Sequence, residues 1–142
     1  MAKKLSGSYR VRVFRPAFQD ARGLFPRSRD MGRLRKHALK LRFWPQRQPQ
    51  NEAGQLLDLD WEFIKSMPGN KVGELRIHDR INSNDNLRII FFVAPEQDRT
   101  EMPCIWILAV MQKKSNDFSR ANIQTFRLRR QLVLERIYSI DG

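Results

Sequence analysis

Three stretches carry the clearest pattern of apolar and polar positions: KVGELRIHDR (71–80), NLRIIFFV (86–93) and CIWILAVMQKK (104–114). In the first, Leu75 and Ile77 alternate with Glu74, Arg76 and His78, which predicts a strand with one apolar and one polar face. In the second, Leu87, Ile89, Phe91 and Val93 fill one face, and Ile90 and Phe92 the other, with Arg88 at the start. In the third, Ile105, Ile107 and Ala109 stand against Trp106, Leu108 and Val110. A strand apolar on both sides belongs in the middle of a sheet. The linkers DRINSND (79–85) and APEQDRTEMP (94–103) are polar and turn-rich, so the three strands read as a meander joined by exposed loops. An earlier alternation, Tyr9, Val11 and Val13 against Arg10 and Arg12, predicts one more half-buried strand, ending at Pro16.

Helical periodicity appears after the meander. Over 118–138, Ile123, Phe126, Val133 and Ile137 form one stripe, with Arg130 inside it, either snorkelling to the sheet edge or entering a groove. Ser115, Asn116 and Asp117 are capping types and mark the expected start. Ala121, Leu128 and Leu132 form a second apolar strip. Packing against N-terminal helices is its favoured explanation, and a partner-binding face is the sharper one. Residues 16–50 are broken by Gly23, Pro26 and Gly32, but Leu34, His37, Ala38 and Leu41 predict a basic helix within 28–43 that stops at Trp44 and Pro45. Residues 45–55 read as a loop. Residues 56–67 fit both periods; Asp58 and Asp60 ahead of Lys65 favour a short helix. Pro68, Gly69 and Asn70 form a turn, and residues 1–8 read as a flexible tail. The whole is one α+β domain over 1–142: a small, mostly antiparallel sheet, made of the N-terminal strand plus the C-terminal meander, flanked by helices.

Charge adds a function class to this outline. The chain of 142 residues carries 27 Lys and Arg against 15 Asp and Glu, a net charge of +12, which favours a polyanionic partner. The basic segment contributes Arg33, Lys36, Lys40 and Arg42 as candidate nucleic-acid contacts, and the last helix Arg130. A single cysteine, Cys104, in an apolar run rules out an intrachain disulfide and a multi-cysteine zinc site. His37 and His78 have no carboxylate or cysteine at metal-ligand spacing. No metal and no cofactor are expected: there is no glycine-rich phosphate loop and no nucleophile elbow. No apolar run reaches membrane-spanning length and no secretory leader is recognisable, so a soluble, cytoplasmic protein is expected.

The remaining chemistry is a set of cations on strands and strand ends. Arg76 and His78 share a face because they are two residues apart. Arg88 has the parity opposite to the main aliphatic set. Lys113 and Lys114 close the third strand, and one of them must point to the same face. Such a cluster suits a phosphodiester: cations bind the phosphate and stabilise developing charge, and an RNA 2′-hydroxyl serves as internal nucleophile. Histidine is the residue type able to carry the proton, and His78 is the candidate.

The ordered series ELRI (74–77), LRIIFFV (87–93), IWILAVMQKK (105–114) and the Arg-rich helix resembles the toxins of the RelE/ParE superfamily, and most of all their phage-derived HigB-type branch. The resemblance spans 71–138. It implies a small α/β fold with a curved sheet. It also implies a type II toxin–antitoxin function: a ribosome-dependent endoribonuclease that cuts mRNA and is neutralised by a cognate antitoxin. Other members poison DNA gyrase without nuclease activity, which is the alternative. By position, Arg76 and Arg88 match the strand arginines of the family, and Lys113 and Lys114 the lysine pair that ends the last strand. Two departures stand out. Phe118 follows the lysines where several nucleases place a proton-carrying tyrosine or histidine near the C-terminal end, leaving Tyr138 as a remote candidate. The segment before Lys71 is also longer and more basic than in compact members.

Overall fold

The computed structural model describes residues 9–95 and 103–139, with side chains as far as residue 136. The tail 1–8, the loop 96–102 and the side chains of Ile137 and Tyr138 lie outside the described residues. The fold is α+β, built on five strands: β1 (Arg10–Val13), β2 (Trp61–Phe63), β3 (Val72–Ile77), β4 (Leu87–Val93) and β5 (Cys104–Gln112). Their order is β1-β5-β4-β3-β2. β1 runs parallel to β5, and every other pair is antiparallel. Helices α1 (Arg15–Leu24) and α2 (Ser28–Leu39), followed by a 3-10 turn (Lys40–Phe43), lie on one face; α3 (Arg120–Ser139) lies on the other.

The two faces follow from strand parity. Leu75, Ile77, Leu87, Ile89, Phe91, Ile105 and Ile107 pack against Ala17, Ala21, Leu34 and Ala38 of α1 and α2. Val72, Ile90, Phe92, Trp106 and Leu108 pack against Phe126 and Val133 of α3. Both faces of β4 and β5 are therefore removed from water, the chief stabilising term of such a sheet. β5 departs from strict alternation. Ile90 faces Ala109 but Phe91 faces Ile107, so Leu108 is an extra residue, a β-bulge. Beyond it the faces exchange: Ala109 joins the α3 side and Val110 the α1 side, the reverse of the expected pattern.

Four further expectations are corrected. Residues 61–63 form strand β2, not part of a helix, because Leu59 and Trp61 are buried by the period-two pattern while the alternating acids Asp60 and Glu62 both pair with Arg76 of β3. The basic helix within 28–43 is present, but a helix precedes it: Pro16 occupies the first turn of α1, where a missing N–H costs nothing, and Gly23 and Gly32 lie inside helices. The cap of α3 is Ser119, whose Oγ accepts the Asn122 N–H at 3.0 Å, not residues 115–117. Leu128 and Leu132 do not pack against the N-terminal helices, which lie across the sheet; they are 60% and 42% exposed. Among the described residues, no helix is long and apolar enough to cross a membrane.

Candidate functional site

One end of the sheet gathers the polar side chains. It is formed by the C-terminal ends of β3 and β5 and the start of β4, on the face that α3 covers elsewhere. Arg76 of β3 stands directly opposite Arg88 of β4. Two like charges in register repel, so acids must be supplied nearby. Glu74, 5% exposed, accepts from Arg88 Nε at 2.9 Å and lies 3.6 Å from Lys113 Nζ. Arg76 is held by Asp60 at 3.3 Å and by Glu62 at 2.5 Å. Burial alone would lower the Arg76 pKa; the hydrogen bond to Glu62 and the charges of Glu62, Glu74 and Asp60 outweigh it and raise it.

His78 follows β3 and is 64% exposed in its side chain. Its Nε2 lies 2.8 Å from Asp60 Oδ2 and 3.9 Å from Asp58 Oδ2. Asp60 thus joins His78 to Arg76. The ring is oriented by a carboxylate at one nitrogen, which leaves Nδ1 for a proton in transit.

The bulge decides which lysine takes part. Because the faces of β5 exchange after Leu108, Met111 faces Arg88 and Lys113 follows on the same side. The Lys113 backbone N–H donates to Asn86 O at 2.9 Å, and its ammonium sits 4.4 Å above the Phe118 ring. Lys114 is exposed and lines a cleft with Lys113, Ser115, Phe118, Ser119 and Asn122. Among the described residues it has no ion-pair partner.

The second predicted set divides. Lys40 donates to Asp58 O at 3.2 Å and contacts His37 Nδ1 at 3.2 Å, which brings it beside the His78 end. Arg33 reaches Asp79 at 4.0 Å and donates to Arg80 O at 3.1 Å. Lys36 is exposed on α2. Arg42 lies elsewhere, 3.3 Å from Glu52 and stacked over Phe43. Arg130 lies under α3: its Nε donates to Asn70 O at 2.9 Å and its guanidinium covers Phe92, so it snorkels to the sheet edge. His37 bonds Asp79 at 2.8 Å, yet burial, followed by the charges of Lys40 and Arg33, pulls its pKa below the ordinary imidazole value. Asp79 in turn is lowered, first by the His37 hydrogen bond.

The sequence reading does not place the acids Asp58, Asp60, Glu62 and Glu74 at the site: it gives Asp58 and Asp60 to a helix start and Glu74 only to the polar face of a strand. Their signal was present: three of them alternate with Leu57, Leu59, Trp61 and Phe63, and Glu74 shares the parity of Arg76. His78 and Lys114 are the exposed cationic positions of this end of the sheet, and His78 can move a proton. Arg88 and Lys113 are already engaged by Glu74. Among the described residues, no three His, Cys, Asp or Glu side chains are placed to hold a metal ion. Comparison with known protein families, with curated proteins and with solved structures finds no match for this chain.

Proposed function

We propose that this chain is a toxin of the RelE/ParE type, acting in the cytoplasm as an endoribonuclease on mRNA at the ribosome and neutralised by a cognate antitoxin. The observation that carries the reading is His78, an exposed imidazole held by Asp60 at 2.8 Å, with Arg76 on the same carboxylate. In the reaction His78 takes the proton of an RNA 2′-hydroxyl. That oxygen attacks the adjacent phosphorus, and the bond from phosphorus to the 5′-oxygen breaks. A 2′,3′-cyclic phosphate forms, and the leaving 5′-oxygen is protonated from solvent. Arg76 and Arg88 bear on the scissile phosphate, Arg88 by exchanging Glu74 for it. Lys113 and Lys114 serve the backbone around the leaving group, and Arg33, Lys36 and Lys40 extend the basic track. The order β1-β5-β4-β3-β2, with two helices between the first two strands, supports a RelE-like fold.

A second reading is a non-catalytic binder on the same fold, such as a gyrase inhibitor. It is favoured by one observation: Arg88 and Lys113 are both paired with a buried carboxylate. Induced expression followed by mapping of mRNA 5′ ends separates the two. The nuclease reading expects new 5′-hydroxyl ends that His78→Gln and Lys114→Gln reduce at least tenfold. Intact transcripts in growth-arrested cells refute it and favour the binder, in which the same substitutions leave arrest unchanged.

A further inference from the structure

The face opposite the candidate site carries a groove of about 580 Å³ between α1, α2 and the sheet. It exists because the two helices present side chains too small to fill the space. Ala17 and Ala21 of α1 and Gly32 and Ala38 of α2 line it, and a Cβ added at Gly32 would meet no atom within 4 Å. Its floor is Ile89 and Ile107 of the sheet, and Val13 and Phe18 at its mouth are 50% and 47% exposed. Apolar surface is therefore left open to water in a concave site. The volume lies within the roughly 300–1,000 Å³ of small-molecule pockets.

Shape and charge narrow the occupant. The lining positions of α2, Ser28, Met31, Gly32, Arg35, Ala38 and Leu39, recur at helical spacing over about 16 Å of its axis. A groove that follows a helix from end to end takes an extended chain rather than a compact ring system. Its lining holds three polar side chains, Arg22, Ser28 and Arg35, and no acid. Both arginines are exposed, and Arg22 lies over the Phe18 ring at 5.9 Å. Among the described residues neither arginine has an ion-pair partner. An apolar slot with two such guanidinium groups on its rim matches a molecule with one long apolar chain and one carboxylate, which a guanidinium grips through two parallel hydrogen bonds.

We infer that this groove is a binding site for a free, straight-chain fatty acid, with the hydrocarbon chain along α2 above Ile89 and Ile107 and the carboxylate on Arg22 and Arg35. The chain supplies most of the affinity by leaving water. The arginines orient the molecule and select an anion over a neutral or cationic amphiphile. The site lies across the sheet from His78 and is independent of what His78 acts on.

The test uses the full chain and radiolabelled tetradecanoate in equilibrium dialysis, at concentrations where the acid is monomeric. One saturable site per chain is expected. Shortening the acid by two methylenes should weaken binding by roughly tenfold, given the usual value of a buried methylene. Gly32→Leu, which puts an apolar side chain into the open space and raises helix propensity, should abolish binding while the chain stays folded by circular dichroism. Arg22→Gln combined with Arg35→Gln should weaken binding at least tenfold, and so should replacing the acid by tetradecanol, which keeps the chain and loses the charge. Uptake of several acids per chain that Gly32→Leu does not reduce means adsorption to the basic surface and overturns the inference. So do equal binding of tetradecyltrimethylammonium, affinity independent of chain length, binding to phosphatidylglycerol vesicles without binding of the monomeric acid, or no binding at all.

Discussion

At the scale of single residues, the site is governed by which charges are already satisfied. Glu74 is buried with Arg88 and Lys113, so removing either cation leaves a carboxylate stranded. Arg88→Met should lower stability by roughly 3 kcal/mol in urea unfolding, the usual cost of breaking such a pair. The double variant Arg88→Met with Glu74→Leu should recover most of it. A loss of activity in Arg88→Met alone therefore reports on folding as much as on chemistry, whereas Lys114 is free of that confusion. Gly73 makes a sharper demand. A Cβ there would lie 2.5 Å from Phe91 Cζ and 3.0 Å from Glu62 O, in the middle of the β2–β3–β4 pairing. Gly73→Ala should destabilise by about 1–3 kcal/mol, read as a lower melting temperature, because the Phe91 ring must leave its packed position.

At the scale of elements, the bulge in β5 couples two helices to the site. Asp20 of α1 accepts the Val110 N–H at 3.3 Å and pairs with Arg129 of α3 at 2.7 Å, and Arg129 also donates to Leu108 O at 2.9 Å. One ion pair thus satisfies backbone groups that the bulge leaves outside the ladder. Asp20→Ala should speed hydrogen exchange at Val110 and cost about 1–3 kcal/mol, since a half-buried guanidinium and an amide both lose their acceptor. If the Val110 amide stays protected in that variant, the pair is incidental. The same element shows how local pattern and tertiary context divide. β3 and β4 were legible because parity holds along their length. The exchange of Ala109 and Val110 was not, because no propensity distinguishes the extra residue in an apolar run. β2 was misread for a related reason: over so few residues, periods of 2 and 3.6 share most of their apolar positions. The choice was settled by burial against β3.

At the scale of the whole molecule, acid should weaken the fold in two steps. His37 has its pKa depressed by burial below 6.5, so the unfolded chain binds a proton before the folded one does. Its contribution is present above 6.5 and is lost as pH falls through the lower folded value. Asp79, depressed below 3.8, contributes above that value and loses its contribution on further acidification. Unfolding midpoints measured between pH 7 and 5 should fall in the native chain, and His37→Gln should flatten that slope; an unchanged slope would show that His37 is not the group responsible. The charge of +12 sets the other global property: RNA affinity, if present, should drop steeply with salt.

By itself the sequence determined the meander, the interior place of β5 (the centre of the sheet falls to β4), the basic character of α2 and the concentration of cations at strand ends. These are consequences of side-chain periodicity and composition, which act locally. Only the tertiary structure decided that Arg76 faces Arg88, that Asp60 holds His78, and that the bulge turns Lys113 rather than Lys114 toward them. Register, bulges and the neutralising acids depend on which strands meet, and that is fixed by packing between segments far apart in the chain. The same holds for the edge position of β1: its alternation was visible, but only the sheet order shows that, among the described residues, it pairs with a strand on one side alone.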